Sequence, residues 1–170
     1  VNQAVNQEMV NLALVLLDLN SDDTVLDAFC GIGNFSLAVA QRAASVIGIE
    51  ASKASVDRAS SNAQLNGLGN VAFEVADLYQ SESSSLVLPK VNKALLDPPR
   101  SGAEWVCQKL VDSACNKIVY VSCNPKTLRQ DTDILCAGGF QLDQLGMIDM
   151  FPHTAHMESI ASFSRGLPNG

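Results

Sequence analysis

The sequence has no Cys-x-x-Cys pair, although it holds five cysteines: Cys30, Cys107, Cys115, Cys123 and Cys136. Odd in number and widely spaced, they supply neither a disulfide framework nor the ligand spacing of a zinc or iron–sulfur site. A reducing, cytosolic compartment is the expected setting. Histidine is scarcer still, at two residues, His153 and His156. With no obvious third ligand, a metal centre is not expected. No apolar run approaches the ~20 residues of a bilayer-spanning helix. Charged side chains are only 17% of the chain against 47% hydrophobic, which excludes a disordered chain. The chain also lacks an initial methionine and a basic-then-apolar leader, and Val1 falls in the lead-in to a helix. We therefore expect a C-terminal fragment of a longer protein and no export signal.

Positive charge is short in one half of the chain only. Residues 1–89 carry three basic and ten acidic side chains, and residues 90–170 carry eight of each, so the net charge of −7 lies wholly in the first half. A polyanion would be repelled there and would more readily meet the second half.

What is present is an alternation of strands and helices along 170 residues, a length suited to one domain of about 100–200 residues. Val5, Met9, Leu12, Leu16 and Leu19 recur at helical spacing. Strands are predicted at Thr24–Ala28, Ser45–Ile49, Asn70–Val75, Val91–Leu96 and Lys117–Ser122, then at Phe140–Met150 and Ser159–Ser164. Helices are predicted over Asn34–Arg42, from Ser52 to Asn66, over Ala103–Ser113 and over Lys126–Ala137, and the serine-rich Leu78–Pro89 reads as a loop. The alternation predicts a doubly wound α/β domain. Asp27, Glu50, Asp77, Asp97 and Cys123 all fall at strand ends, where open parallel sheets bind ligands.

Asp27-Ala28-Phe29-Cys30-Gly31-Ile32-Gly33-Asn34-Phe35-Ser36 follows a strand and opens a helix, and Glu50 ends the next strand nineteen residues beyond Gly31. The glycines permit a tight turn and close approach of a ligand, and the acid can accept hydrogen bonds from ribose hydroxyls. Ser36 stands where a dinucleotide fingerprint has its third glycine, and Asp27 would be a poor neighbour for pyrophosphate. A cofactor with an ammonium group suits the carboxylate better, which favours S-adenosylmethionine over NAD. Asp77 would sit near the adenine edge.

Asp97-Pro98-Pro99-Arg100 forms a rigid extended turn, since proline fixes φ and removes N–H donors. It would hold a carboxylate and flanking carbonyls at a planar substrate. Ser122-Cys123-Asn124-Pro125 ends a strand just before a helix. That helix N-terminus should lower the Cys123 pKa and favour thiolate. Cys30, Cys107, Cys115 and Cys136 are expected to be small buried hydrophobes. Glu158, at the lip of the last strand, is either a surface residue or a base with a pKa raised by partial burial. Arg100, Lys126 and Arg129 lie where phosphates could meet them, though ordinary solvated charge explains them equally well.

Through D-x-F-C-G-x-G-N-F, D-P-P-R, S-C-N-P and F-P-H-T-x-H-x-E, the chain resembles, from end to end, the S-adenosylmethionine-dependent RNA uracil-5-methyltransferases. Within them it is most similar to the branch acting on 23S ribosomal RNA, with the tRNA branch the nearest competitor. The resemblance implies a Rossmann-like class I methyltransferase fold, a mostly parallel seven-stranded sheet with helices on both faces, over residues 1–170. It implies Cys123 as nucleophile and Glu158 as proton acceptor, with Asp97 positioning both target base and cofactor. It implies Phe29, Asn34, Glu50, Asp77 and Asp97 as cofactor contacts, beside Asp27, Gly31 and Gly33 of the turn. It implies N-terminal RNA-binding domains absent from this chain, where an iron–sulfur cluster can also reside. No membrane partner and no oligomer are implied. Three rivals need no Cys123 nucleophile: an amino-methyltransferase, a noncatalytic cofactor- or RNA-binding module, and an NAD-binding domain.

Overall fold

The computed structural model describes residues 3–80, 85–149 and 157–166. The elements run α1 (Gln3–Leu17), β1 (Thr24–Ala28), α2 (Asn34–Ala40), β2 (Ser45–Glu50), α3 (Lys53–Leu65), β3 (Val71–Val75), β4 (Lys93–Leu96), α4 (Glu104–Val111), β5 (Lys117–Ser122), α5 (Pro125–Ala137), β6 (Gln141–Asp149) and β7 (Met157–Ser164). The helix starts and stops have local causes. Ser52 caps α3 by accepting the Ser55 N–H at 3.3 Å, and Asn124 caps α5 by accepting the Lys126 N–H at 3.1 Å. Pro125 fills the first turn of α5.

The seven strands form one sheet in the order β3-β2-β1-β4-β5-β7-β6. β1 to β5 pair in parallel, while β7 runs antiparallel between β5 and β6. The alternation of side chains along each strand divides the core between two faces. Leu26, Leu96 and Tyr120 pack with Trp105 and Leu110 of α4 and Leu128 and Leu135 of α5. Val25, Leu95 and Val119 point the other way, into α1 and α2, against Met9, Leu14, Leu17, Phe35 and Val39. No helix among the described residues is long and apolar enough to cross a membrane.

Two features of this topology place the site. The chain winds from β1 outward to β3, then returns to lay β4 on the other side of β1. The loops after β1 and β4 therefore part and open a crevice at the strands' carboxyl ends. The reversal of β7 brings its amino end to that same edge. Ser122 pairs with Ser159, so Cys123, just past β5, lies beside Glu158, the second residue of β7. Glu158 was expected at the lip of the last strand; the strand starts two residues earlier and carries it.

Candidate active site

The crevice is a cleft of about 330 Å³ lined by Phe29, Glu50, Asp77, Tyr79, Asp97 and Pro98, among others, with no cationic side chain in its wall among the described residues. Its floor begins at β1. Phe29 adopts φ 61° and Gly31 φ 55°, and left-handed backbone at a non-glycine residue costs about 1–3 kcal/mol that surrounding structure must hold in place. A Cβ added at Gly31 would meet nothing within 4 Å, so this glycine answers the backbone turn rather than a crowded neighbour. The turn is pinned by Glu50, whose Oε2 accepts the Gly31 N–H at 3.0 Å and whose Oε1 accepts the Ser52 N–H at 3.1 Å.

Asp27 is buried at the end of β1. Its Oδ2 accepts a 2.5 Å hydrogen bond from the Ser36 hydroxyl, while Oδ1 is buried with no hydrogen-bond partner among the described residues. Burial pushes the carboxyl up to about 7, against the Ser36 hydrogen bonds and with help from the Glu50 charge. An unpaired buried carboxylate oxygen is costly, and a cation placed against it would relieve that cost.

Asp97 ends β4 and is likewise pushed up to about 7, first by burial and then by the charges of Asp27 and Glu158. Pro98 is buried in the cleft wall, and the Gly102 N–H closes the following turn onto the Pro99 carbonyl at 2.9 Å. Asn124 Nδ2 and Thr127 Oγ1 donate to the Arg100 carbonyl at 2.8 and 3.1 Å. The Asp97 loop is thus tied directly to the segment that carries Cys123.

Cys123 is partly exposed, and its environment corrects the sequence expectation. Burial and the Glu158 carboxylate, with a contribution from Asp97, push its thiol above the ordinary value despite the opposing Arg100 charge. The helix N-terminus alone does not decide the sign, because a half-buried carboxylate stands on the other side. Glu158 is itself raised by burial. Of the other cysteines, Cys30, Cys107 and Cys115 are buried as expected, but Cys136 is exposed on the outer side of α5.

Asp27, Phe29, Gly31, Gly33, Glu50, Asp77 and Asp97 all come to the carboxyl edge of β1–β4, and Cys123 and Glu158 adjoin them at β5 and β7. Asp77 is exposed in the cleft wall, where Oδ1 accepts the Tyr79 N–H at 2.9 Å. Asn34 is not in that wall. It opens α2 and exchanges two side-chain hydrogen bonds, at 3.1 and 3.4 Å, with Asn6 of α1. The Phe151–His156 part of the last motif lies outside the described residues. Sequence reasoning missed Tyr79, whose ring faces Phe29 across 5.7 Å. It also missed Ser36 as the partner of Asp27; the signal was a hydroxyl in the first turn of the following helix.

Residues 1–165 match the family model described as tRNA (Uracil-5-)-methyltransferase. The chain belongs to that family. Among curated members of the uracil-5-methyltransferase family, the 23S rRNA (uracil(1939)-C(5))-methyltransferase of Aliivibrio salmonicida is 50% identical over 166 residues, covering 97% of this chain and 38% of the relative. That of Hahella chejuensis is 46% identical with the same coverage of each chain. The chain therefore spans well under half the length of these relatives. In structure it is similar to Pyrococcus abyssi tRNA (uracil-54, C5)-methyltransferase in complex with S-adenosyl-L-homocysteine, with a TM-score of 0.77 and 30% identity over 92% of this chain and 38% of that one. The observed sheet is the class I methyltransferase arrangement expected of the uracil-5-methyltransferase family.

Proposed function

We propose that residues 1–170 form the catalytic domain of an RNA uracil-5-methyltransferase using S-adenosylmethionine. The proposed substrate is a uridine in 23S ribosomal RNA and the proposed setting is the cytoplasm. The observation that carries this is the Ser122–Ser159 register, which sets a carboxylic acid beside a thiol at the edge of an acidic cleft. The 23S relatives at 46–50% identity favour ribosomal RNA over tRNA. Outside this chain, we assign the main grip on RNA phosphate to N-terminal domains, because the cleft half carries the negative charge.

The cleft suits the cofactor chemically. The unpartnered Asp27 Oδ1 would take the ammonium group, Glu50 the ribose hydroxyls, and Asp77 with Phe29 the adenine side. A pyrophosphate would find no cation in the wall among the described residues. The bound cofactor would supply an electrophilic methyl group on a sulfonium.

Carbon 5 of uracil is a weak nucleophile. Cys123 thiolate would attack carbon 6, forming a C–S bond and placing the electron pair in an enolate. Carbon 5 of that enolate would then take the methyl group, leaving a neutral thioether on the donor. Glu158 would remove the carbon-5 proton, the C–S bond would break, and Cys123 would leave as thiolate. Asp97 would hold an extruded base against the rigid Pro98-Pro99 turn. Burial raises Glu158, the direction that makes a carboxylate a stronger proton acceptor.

The test uses S-adenosylmethionine and RNA substituted with 5-fluorouridine. Fluorine leaves no carbon-5 proton for Glu158, so an adduct of protein, RNA and methyl group should accumulate and be lost in Cys123→Ala. The trial is repeated with N-terminal domains joined if the isolated chain is silent. Failure of both, with the cofactor still bound, would overturn the mechanism.

A further inference from the structure

Tyr79 stands on two structures at once. Its ring lines the cleft opposite Phe29 at 5.7 Å, and its backbone N–H is held by Asp77 Oδ1 at 2.9 Å. Its hydroxyl leaves the cleft and reaches the Asp97 loop, donating to the Gly102 carbonyl at 3.0 Å and accepting from Ser101 Oγ at 2.9 Å.

The loop it reaches is held on its far side as well. Arg100 O is bound by Asn124 and Thr127, beside Cys123. The Ala103 N–H donates to Asp131 Oδ2 at 2.8 Å, and the Tyr120 hydroxyl donates to that oxygen at 2.6 Å. Gly102 is the pivot. It adopts φ 79°, and a Cβ there would lie 2.9 Å from Thr127 Cβ and 3.0 Å from Asp131 Oδ2. So crowded a turn has little room to settle elsewhere, and its position follows the groups that hold it.

On the reading that the cleft takes S-adenosylmethionine, we propose that Tyr79 is a positioning residue that couples cofactor occupancy to the Asp97–Gly102 loop, and through it to the Cys123 segment. A cofactor seated between Phe29, Asp77 and Tyr79 orders the ring. The ordered ring fixes the hydroxyl, and the hydroxyl fixes the turn. By linkage, a fixed turn tightens the cofactor site in return. The coupling needs the hydroxyl, whereas contact with the cofactor needs only the ring.

Tyr79→Phe separates the two. The amides of Gly102 and Ala103 report on the loop, because they donate to Pro99 O and Asp131, and hydrogen exchange with and without saturating S-adenosylhomocysteine reads them. In the natural chain the ligand should slow their exchange by about fivefold or more, the worth of roughly one net hydrogen bond. In Tyr79→Phe the ligand should bind within about threefold of the natural affinity, since the apolar ring remains, yet give no such slowing. Ser101→Ala, which keeps the ring and the bond to Gly102, should give intermediate slowing and guards against misfolding of the first variant. Equal slowing in the natural chain and Tyr79→Phe would overturn the proposal. So would binding by the natural chain with no slowing at all, a result that leaves the cofactor reading standing. If S-adenosylhomocysteine does not bind, the cofactor reading fails and the coupling fails with it.

Discussion

The Ser36 hydroxyl donates to Asp27 Oδ2 at 2.5 Å and leaves Oδ1 of the same buried carboxylate without a partner among the described residues. Because Asp27 and Asp97 are both pushed up to about 7, their charges come at a cost that a bound cation would offset.

The first prediction is a pH-dependent affinity. Below pH 7 both carboxyls hold protons that a cationic ligand must displace. For each proton released, S-adenosylmethionine should therefore bind at least tenfold more tightly at pH 7 than at pH 5.5, because each pH unit below a raised pKa is worth about tenfold per group. Calorimetry in buffers of different ionisation enthalpy measures both. Asp27→Asn should weaken binding at pH 7 and flatten this dependence; an unchanged slope in that variant would remove Asp27 from the site.

The same shifts act on the protein alone, with a definite sign. The unfolded carboxyls titrate near 4, so between about pH 4 and 7 the folded state holds more protons than the unfolded one. Their contribution to stability is thus fully present below about pH 4 and is lost as pH rises through the folded value of about 7. Urea midpoints taken from pH 4.5 to 7 should decline less steeply for Asp97→Asn than for the natural chain.

Much of this site was legible in one sequence because its residues punctuate strands. Alternating apolar runs placed every strand within a residue or two, and acids at strand ends marked the carboxyl edge, with glycines after Asp27 and prolines after Asp97. What escaped depended on pairings between distant segments. Nothing local in Ser159–Ser164 says that β7 reverses and inserts between β5 and β6, yet that insertion sets Glu158 beside Cys123. The helix-dipole argument for Cys123 failed for a related reason: it counted the neighbour in sequence and neither the burial of the thiol nor the carboxylate across the strand. Tyr79 escaped because its hydroxyl partner is twenty-three residues away.

Thiol chemistry checks the surroundings of Cys123 directly. Burial and then Glu158 push the Cys123 thiol up, and Arg100 pulls it down. Iodoacetamide at pH 7.5, followed by peptide mass analysis, should therefore modify exposed Cys136 before Cys123. Glu158→Gln should speed modification of Cys123 and Arg100→Ala should slow it. The thiolate fraction grows faster than intrinsic nucleophilicity falls, so a slower Cys123 in Glu158→Gln would contradict the proposed electrostatics.

At the opposite end of the sheet lies a pair whose role is stability. Lys93 Nζ meets Asp23 Oδ2 at 2.8 Å with both side chains largely buried, and it also donates to the Asp18 carbonyl. Asn92 Nδ2 donates to the other oxygen of Asp23 at 2.6 Å, and Asn92 Oδ1 accepts the Thr24 N–H that begins β1. Burial works to raise Asp23, but Lys93, Asn20 and Asn92 together hold it below its ordinary value. Removing one partner leaves a buried charge uncompensated, which costs about 3–5 kcal/mol. Lys93→Met should lose stability of that order at pH 7. Joining it with Asp23→Leu should recover much of the loss, because two apolar side chains leave no charge unpaired. The deficit of Lys93→Met should also shrink on acidification as Asp23 takes up a proton, and denaturant melts of both variants at pH 4 and 7 would show it. A deficit that persisted at pH 4, or a double variant no better than the single one, would trace the loss to packing at the start of β4 instead of to the ion pair.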